Sequence, residues 1–289
     1  MSKKGDTFYS YIYVIPAVLL FSLFFMWPTL QGVMKSFTYW NATSARFAGF
    51  DNYLSIIADS KMNIVLKNTF IFTVVTTFFK MFFGMILALL LNRRAVSTKI
   101  IRSVYFMPAI ISNISVALIF NSILHPLGIM NGLLKGLHLN FLAMNWLTDT
   151  KLVMYSISAI EVWKWSGFTM TMLLAGLQTI PAEYYEAANL DGASALQKFR
   201  HIQLPLIMPA FNNALIFSLI GGIKVFDIVY ALTGGGPGSA SEVLNSYVFK
   251  AYANGFYGEA CAAGTIIGLF VLVITLLMLN PLRKKEVEL

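Results

Sequence analysis

The sequence predicts an all-α membrane protein with six transmembrane helices, from its solvent preference, from six long apolar runs and from the lack of strand-like alternation in those runs. Of 289 residues, 57% are hydrophobic and 12% charged, and the mean hydropathy is +0.70; soluble domains carry roughly 25% charged residues. Water is therefore not its main solvent. A helix needs about 20 mostly apolar residues to cross ~30 Å of hydrocarbon, and such runs lie at about 12–34, 69–92, 101–124, 153–177, 209–232 and 261–282. In lipid the backbone must satisfy its own hydrogen bonds, so these runs form helices; the ~10-residue alternating segments of a membrane barrel are absent.

The first run follows Lys3 and Lys4 and starts near Tyr11. It outlasts the ~7–15-residue core of a cleavable signal, and no small-residue cleavage site follows, so it reads as a retained span. Pro16 and Pro28 in this run and Pro108 in the third are expected to kink their helices. Trp27, Trp40 and Trp146 fall near span ends, where interfacial anchors sit. With an even number of spans both termini share a side. Arg93, Arg94, Lys99 and Arg102 after the second run, and Arg283, Lys284 and Lys285 after the last, make that side cytoplasmic. The whole chain reads as one transmembrane domain.

The formal charge of +8 is dispersed between apolar runs rather than gathered on a soluble domain, which argues against nucleic acid as a partner. One cysteine, Cys261, leaves no internal disulfide framework, and His125, His138 and His201 are scattered without metal-site spacing. No GxxxxGK[ST] phosphate loop occurs, so ATP is not bound here by that route.

Between the fourth and fifth runs, residues 178–208 are too polar to span and too patterned for a plain linker. Pro181, Glu183 and Glu186 favour a helix start. Gly192 permits a sharp turn. Ala195, Phe199 and Ile202 then share a helical face until Pro205 interferes. The pattern alone allows an amphipathic connector resting on headgroups or a docking element.

Five ionisable residues lie within spans: Lys80, Glu161, Lys164, Lys224 and Asp227. Each costs about 2.5–3.5 kcal/mol or more at a helix centre. Glu161 with Lys164, and Lys224 with Asp227, are spaced i, i+3 and can neutralise each other; Lys80 has no such neighbour and is expected to snorkel or to pair with another span. Alternatively, some line a solute path. Ser158, Glu161, Trp165 and Thr169 share one face, and Asp227 and Tyr230 another; carboxylates accept from sugar hydroxyls, and aromatic rings offer an apolar plate to a pyranose. The Phe78, Phe79, Phe82, Phe83 stretch reads as lipid-facing.

Glu186-Ala187-Ala188, Asp191-Gly192-Ala193, Phe199, Ile202, Leu204-Pro205 and Pro209 together resemble the signature of permease subunits of binding-protein-dependent ABC importers: EAA, a glycine a few residues on, then I-x-L-P. The segments Phe47–Tyr53, Ala175–Pro181, Phe226-Asp227 and Leu232–Pro237 are similar to the sugar-type, maltose-permease-like branch. The resemblance implies a type I ABC importer permease bundle for a mono- or oligosaccharide or similar polar solute. It implies that Glu186 to Pro205 dock as a coupling helix on a separate ATPase, and that ATP and Mg²⁺ bind there, with no cofactor in this chain. The implied partners are a second homologous permease, two cytoplasmic ATPase subunits, a periplasmic or extracellular solute-binding protein and lipid, in a bacterial cell (inner) membrane. A homodimeric membrane domain stays open. An ion-coupled carrier using Glu161 and Asp227 is the rival reading. An intramembrane enzyme lacks a Ser/His/Asp or HExxH arrangement.

Overall fold

The structure, a computed structural model, describes residues 12–41, 43–92 and 96–283. Lys3, Lys4, Arg93, Arg94, Lys284 and Lys285 lie outside them. Three helices are long and apolar enough to cross a membrane singly: α1 (Ile15–Lys35), α3 (Ser60–Leu91) and the Tyr257–Met278 part of α13 (Tyr257–Arg283). Two helix pairs pass the same length and apolarity test only when joined across a bend: α4 (Val96–Ile110) with α5 (Asn113–Ile123), bent by 94°, and α9 (Ala195–Leu206) with α10 (Met208–Ile223), bent by 72°. The remaining long helix, α7 (Val153–Gln178), has 26 residues and so reaches about 39 Å.

The chain divides into two compact units. One joins the segment ending at Asp59 to Tyr247–Gly268. Its helix α1 buries no residue. A hairpin follows, β1 (Thr38–Trp40) antiparallel to β2 (Ala45–Phe47), with Tyr39 opposite Arg46. This small sheet is an addition to the all-α expectation. The Phe47–Tyr53 segment closes the corner before α2 (Asp51–Ala58): Asn52 Nδ2 donates to Ser36 O (2.8 Å) and Thr38 O (2.9 Å), and Tyr53 Oη meets Ser36 Oγ at 2.6 Å.

The other unit spans Ser60–Ser246 and the chain from Leu269. Here α3 and α7 run side by side, α10 packs on both, α4 on α7, and α11 (Asp227–Thr233) on α5. Phe72, Val116, Ile157 and Ile228 fill one core; Met81, Ala88, Leu173 and Ile207 fill another. Gly167 sets how closely α4 meets α7, because a Cβ there would strike the carbonyl oxygen of Tyr105.

Prolines act differently from expectation at two places. Pro28 lies inside α1 directly after a π turn, Ser22–Met26, and Pro205 follows a π turn, Phe199–Gln203. A proline ring clashes with the carbonyl four residues back and supplies no N–H; a widened turn accommodates both defects without ending the helix. The helical segment therefore runs through Pro205 to Leu206. Pro16 sits in the first turn of its helix, where no donor is missed. Pro108 and Pro205 each precede a sharp break, the first three residues before the 94° bend that starts at Ile111 and the second two residues before the 72° bend at Ile207.

Candidate functional site

Four of the five charged residues of the spans, Lys80, Glu161, Lys224 and Asp227, line one cavity of about 190 Å³ in the larger unit. Its wall includes Lys80, Asn113, Glu161, Trp165, Thr169 and Asp227. Lys80 projects from α3 and Glu161 from α7, and their charged atoms stand 3.5 Å apart with side chains 4% and 9% exposed. Lys80 thus pairs with another span, as its isolation in sequence suggested.

Neither i, i+3 pair forms a salt bridge among the described residues. Glu161 is taken by Lys80. Lys164 instead donates to Ile111 O (2.6 Å) and to Asn113 Oδ1, and Asn113 Nδ2 donates to Asp227 Oδ2 at 3.1 Å. Helix geometry made Lys164 reachable from Glu161, but the carbonyl exposed between α4 and α5 is the stronger claim on a donor-only ammonium. Lys224 lies beyond the end of α10 and Asp227 begins α11, so a break at 224–226 replaces the continuous fifth span and separates that pair too.

Aromatic rings supply the apolar side. Trp165 meets Phe168 edge-on at 5.7 Å and Phe217 at 6.4 Å, and Phe168 lies 5.1 Å from Phe217. Of the expected path residues, Glu161, Trp165, Thr169 and Asp227 line the cavity. Ser158 is buried elsewhere with its hydroxyl on Met154 O, and Tyr230 stacks on Phe226 at 5.2 Å outside the cavity wall. Asn113, Phe168 and Phe217 are lining residues that the sequence reading did not select; Lys224, one of its intramembrane charges, lines the cavity too. A Ser-Asn pair a turn after Pro108 is a helix-restart signal that pointed to Asn113.

The 178–208 segment forms α8 (Ala182–Leu190), a turn with Gly192 at φ +68°, and α9. Pro181 is the N-cap of α8 rather than a first-turn residue. Ser194 caps α9 by accepting from Gln197 N, and the Gln197 side chain accepts from Ser194 N at 2.7 Å. Lys198 Nζ donates to Asn189 Oδ1 and Gln203 Nε2 to Tyr185 Oη (3.4 Å), which ties the two helices together. Glu186, Ala187, Asp191 and Gly192 are exposed; Ala188 is buried; Ala193, Phe199, Ile202, Leu204 and Pro205 are half-buried. Leu190 stands 90% exposed at the tip.

An apolar helical bundle in which a buried Lys80–Glu161 pair and the exposed Lys224 and Asp227 line one cavity, with a braced surface helix pair leading into α10, defines a membrane transport subunit. The chain belongs to the binding-protein-dependent transport system inner membrane components, whose family model matches residues 80–280. It is 34% identical over 284 residues to the probable ABC transporter permease YurN of Bacillus subtilis, covering 96% of this chain and 97% of that one. It is 33% identical to the sulfoquinovosyl glycerol transport system permease SmoG of Agrobacterium fabrum, covering 98% and 92%. Its fold matches the crystal structure of a bacterial ABC transporter involved in import of the acidic polysaccharide alginate, with a TM-score of 0.84, 25% identity and 96% of both chains covered.

Proposed function

We propose that this chain passes a mono- or oligosaccharide, or a similar polar solute, along the cavity between Lys80 and Asp227, driven by ATP hydrolysed in separate subunits. The single observation that carries this reading is the meeting of carboxylates (Glu161, Asp227) with the Trp165–Phe168–Phe217 aromatic cluster in one cavity. Carboxylates accept hydroxyl protons and aromatic faces cover sugar C–H surface. Relatives named for sulfoquinovosyl glycerol and alginate transport support the carbohydrate class. At about 190 Å³ the cavity is smaller than the ~300–1,000 Å³ of ordinary ligand sites. A second homologous permease would supply the facing wall.

In this reading the Glu186 to Pro205 segment is the contact for one of two cytoplasmic ATPase subunits, which bind ATP and Mg²⁺. Glu186, Ala187, Asp191, Gly192 and Leu190 offer the exposed face; Ala188, Ala193, Phe199, Ile202, Leu204 and Pro205 hold its shape. A periplasmic or extracellular binding protein delivers the solute, both termini are cytoplasmic, and this chain performs no catalysis. The test is uptake of a radiolabelled panel of mono- and oligosaccharides into vesicles holding the full assembly. ATP-dependent uptake is expected. Gly192→Asp should abolish it and weaken ATPase association while membrane insertion persists: no neighbour lies in the way of the new side chain, but the φ of +68° strains any residue other than glycine and so distorts the turn between α8 and α9. Uptake that follows an ion gradient without ATP, or a fully coupled Gly192→Asp protein, would sink the reading.

A further inference from the structure

Two helix breaks flank the cavity: one between Ile110 and Asn113, the other between Ile223 and Asp227. A single cation joins them. Lys164, 2% exposed on the unbroken α7, donates to Ile111 O at the first break and to Asn113 Oδ1, and Asn113 passes the contact on to Asp227 Oδ2 at the second. The orientation of the Asn113 amide is dictated by its neighbours. An ammonium only donates and a carboxylate only accepts, so the amide oxygen must face Lys164 and the NH₂ must face Asp227. Both bonds are charge-assisted and stronger than neutral ones.

The Ile111 carbonyl sits where α4 ends, and the next helical bond runs from Val116 N to Ser112 O. A cation is favoured at such a C-terminal end. Asn113 and Asp227 both line the cavity, and Asp227 has no ion-pair partner among the described residues. Its Oδ1 and the second N–H of Asn113 therefore remain to engage a solute.

We propose that Lys164 is a positioning residue: it pins the two breaks so that Asn113 and Asp227 present an adjacent N–H donor and carboxylate acceptor to vicinal hydroxyls of the solute. The proposal rests on the reading that this cavity is the solute path. A hydroxyl donating to Asp227 Oδ1 beside one accepting from Asn113 is the pattern of a neutral diol, which makes Asn113 a solute-contacting residue.

The test uses the full assembly and two readouts. Spin labels on Val104 and Leu118, both exposed on the two halves of the broken span, in a Cys261→Ser background, report the break by pulsed electron-spin distance measurement without any solute. Lys164→Met should broaden the distance distribution, whereas Lys164→Arg, which keeps a cationic donor in place, should leave it narrow. The second readout is uptake of whichever saccharide in the panel is carried. Asn113→Asp removes both amide N–H groups, including the one offered to the solute, so KM should rise roughly tenfold, the upper end for one neutral hydrogen bond, with maximal rate within about twofold. An unchanged distribution in Lys164→Met, or a wild-type KM in Asn113→Asp, overturns the proposal. If no saccharide is carried, the carbohydrate reading fails by itself and the distance measurement alone decides the role of Lys164.

Discussion

Lys80→Met should destabilise the bundle by about 3 kcal/mol, and adding Glu161→Met should recover most of the loss. The two charges stand 3.5 Å apart and are nearly inaccessible. At an effective dielectric of ~20 their attraction is about 5 kcal/mol. Removing one partner leaves the other as an uncompensated buried charge, which costs about 3–5 kcal/mol. The lower end applies because both residues also line the cavity, where water lowers the penalty. Replacing both by methionine removes the two desolvation penalties together with the attraction, so the double variant should lie within about 1 kcal/mol of the parent. The assay is a double-mutant cycle of the purified chain in mixed micelles, followed by helical circular dichroism as the denaturing detergent fraction rises. The coupling energy should be about 3 kcal/mol or more. Additive losses, or single variants each costing under about 1 kcal/mol, would show that the charges do not depend on each other.

Gly167→Ala should separate α4 from α7, because the new Cβ overlaps Tyr105 O and comes within 3.1 Å of Phe106 N; a loss of about 1–3 kcal/mol is expected from overpacking, and an unaltered midpoint in the same micelle titration refutes it. Tyr247 is pushed above the ordinary tyrosine range by burial and by donating to Glu259 Oε1 at 2.5 Å, with Asp59 Oδ2 at 3.4 Å. The fold thus favours the neutral phenol, so its contribution is complete below the unfolded value of about 10 and is lost as pH rises above it. Stability should fall above about pH 10 in the parent and fall less in Tyr247→Phe, measured as unfolding midpoint against pH.

What the sequence exposed and what it hid divide along range of interaction. Turn chemistry is local, so Gly192 between two helical stretches was legible, and its φ of +68° is the backbone that glycine tolerates. Apolar runs are likewise local, and the first, second and last of them overlap the three helices long and apolar enough to cross a membrane singly. The Lys80–Glu161 pair joins residues 81 positions apart, and no periodicity within either helix could reveal it. The i, i+3 rule gave reachable pairs, but it ignored backbone carbonyls, and Ile111 O was the acceptor that drew Lys164 away. Asn113 was passed over because a neutral amide in a span carries no charge to flag it. The π turns before Pro28 and Pro205 also escaped, since they change hydrogen-bond register without changing composition.

Continuous helix buries its own polar groups; interrupted helix does not. At the ends of α4 and α10 the free carbonyls and the first residues of the next helices are polar in an apolar setting, a costly arrangement in lipid unless other residues answer it. Lys164, Asn113 and Asp227 answer it, and in doing so gather hydrogen-bonding groups around a cavity. The second break also has a mechanical consequence. The braced pair α8–α9 continues through the 72° bend into α10, whose 16 residues, about 24 Å of helix, end at the break before Asp227. α9 is thus joined to Asp227 through the bend at Ile207, the length of α10 and the three-residue break at 224–226. On the far side of that residue sits Asn113, held by Lys164 on a different helix. The Asn113–Asp227 contact is the one that joins the two breaks, so a shift of α10 relative to α7 acts on it and on the groups it offers to a solute. On the reading that α8–α9 dock on an ATPase, coupling of this kind needs no contact between a nucleotide site and the cavity; it needs a path from that pair to a hydrogen bond, here Asn113–Asp227 at 3.1 Å, whose partners can also bind a solute hydroxyl.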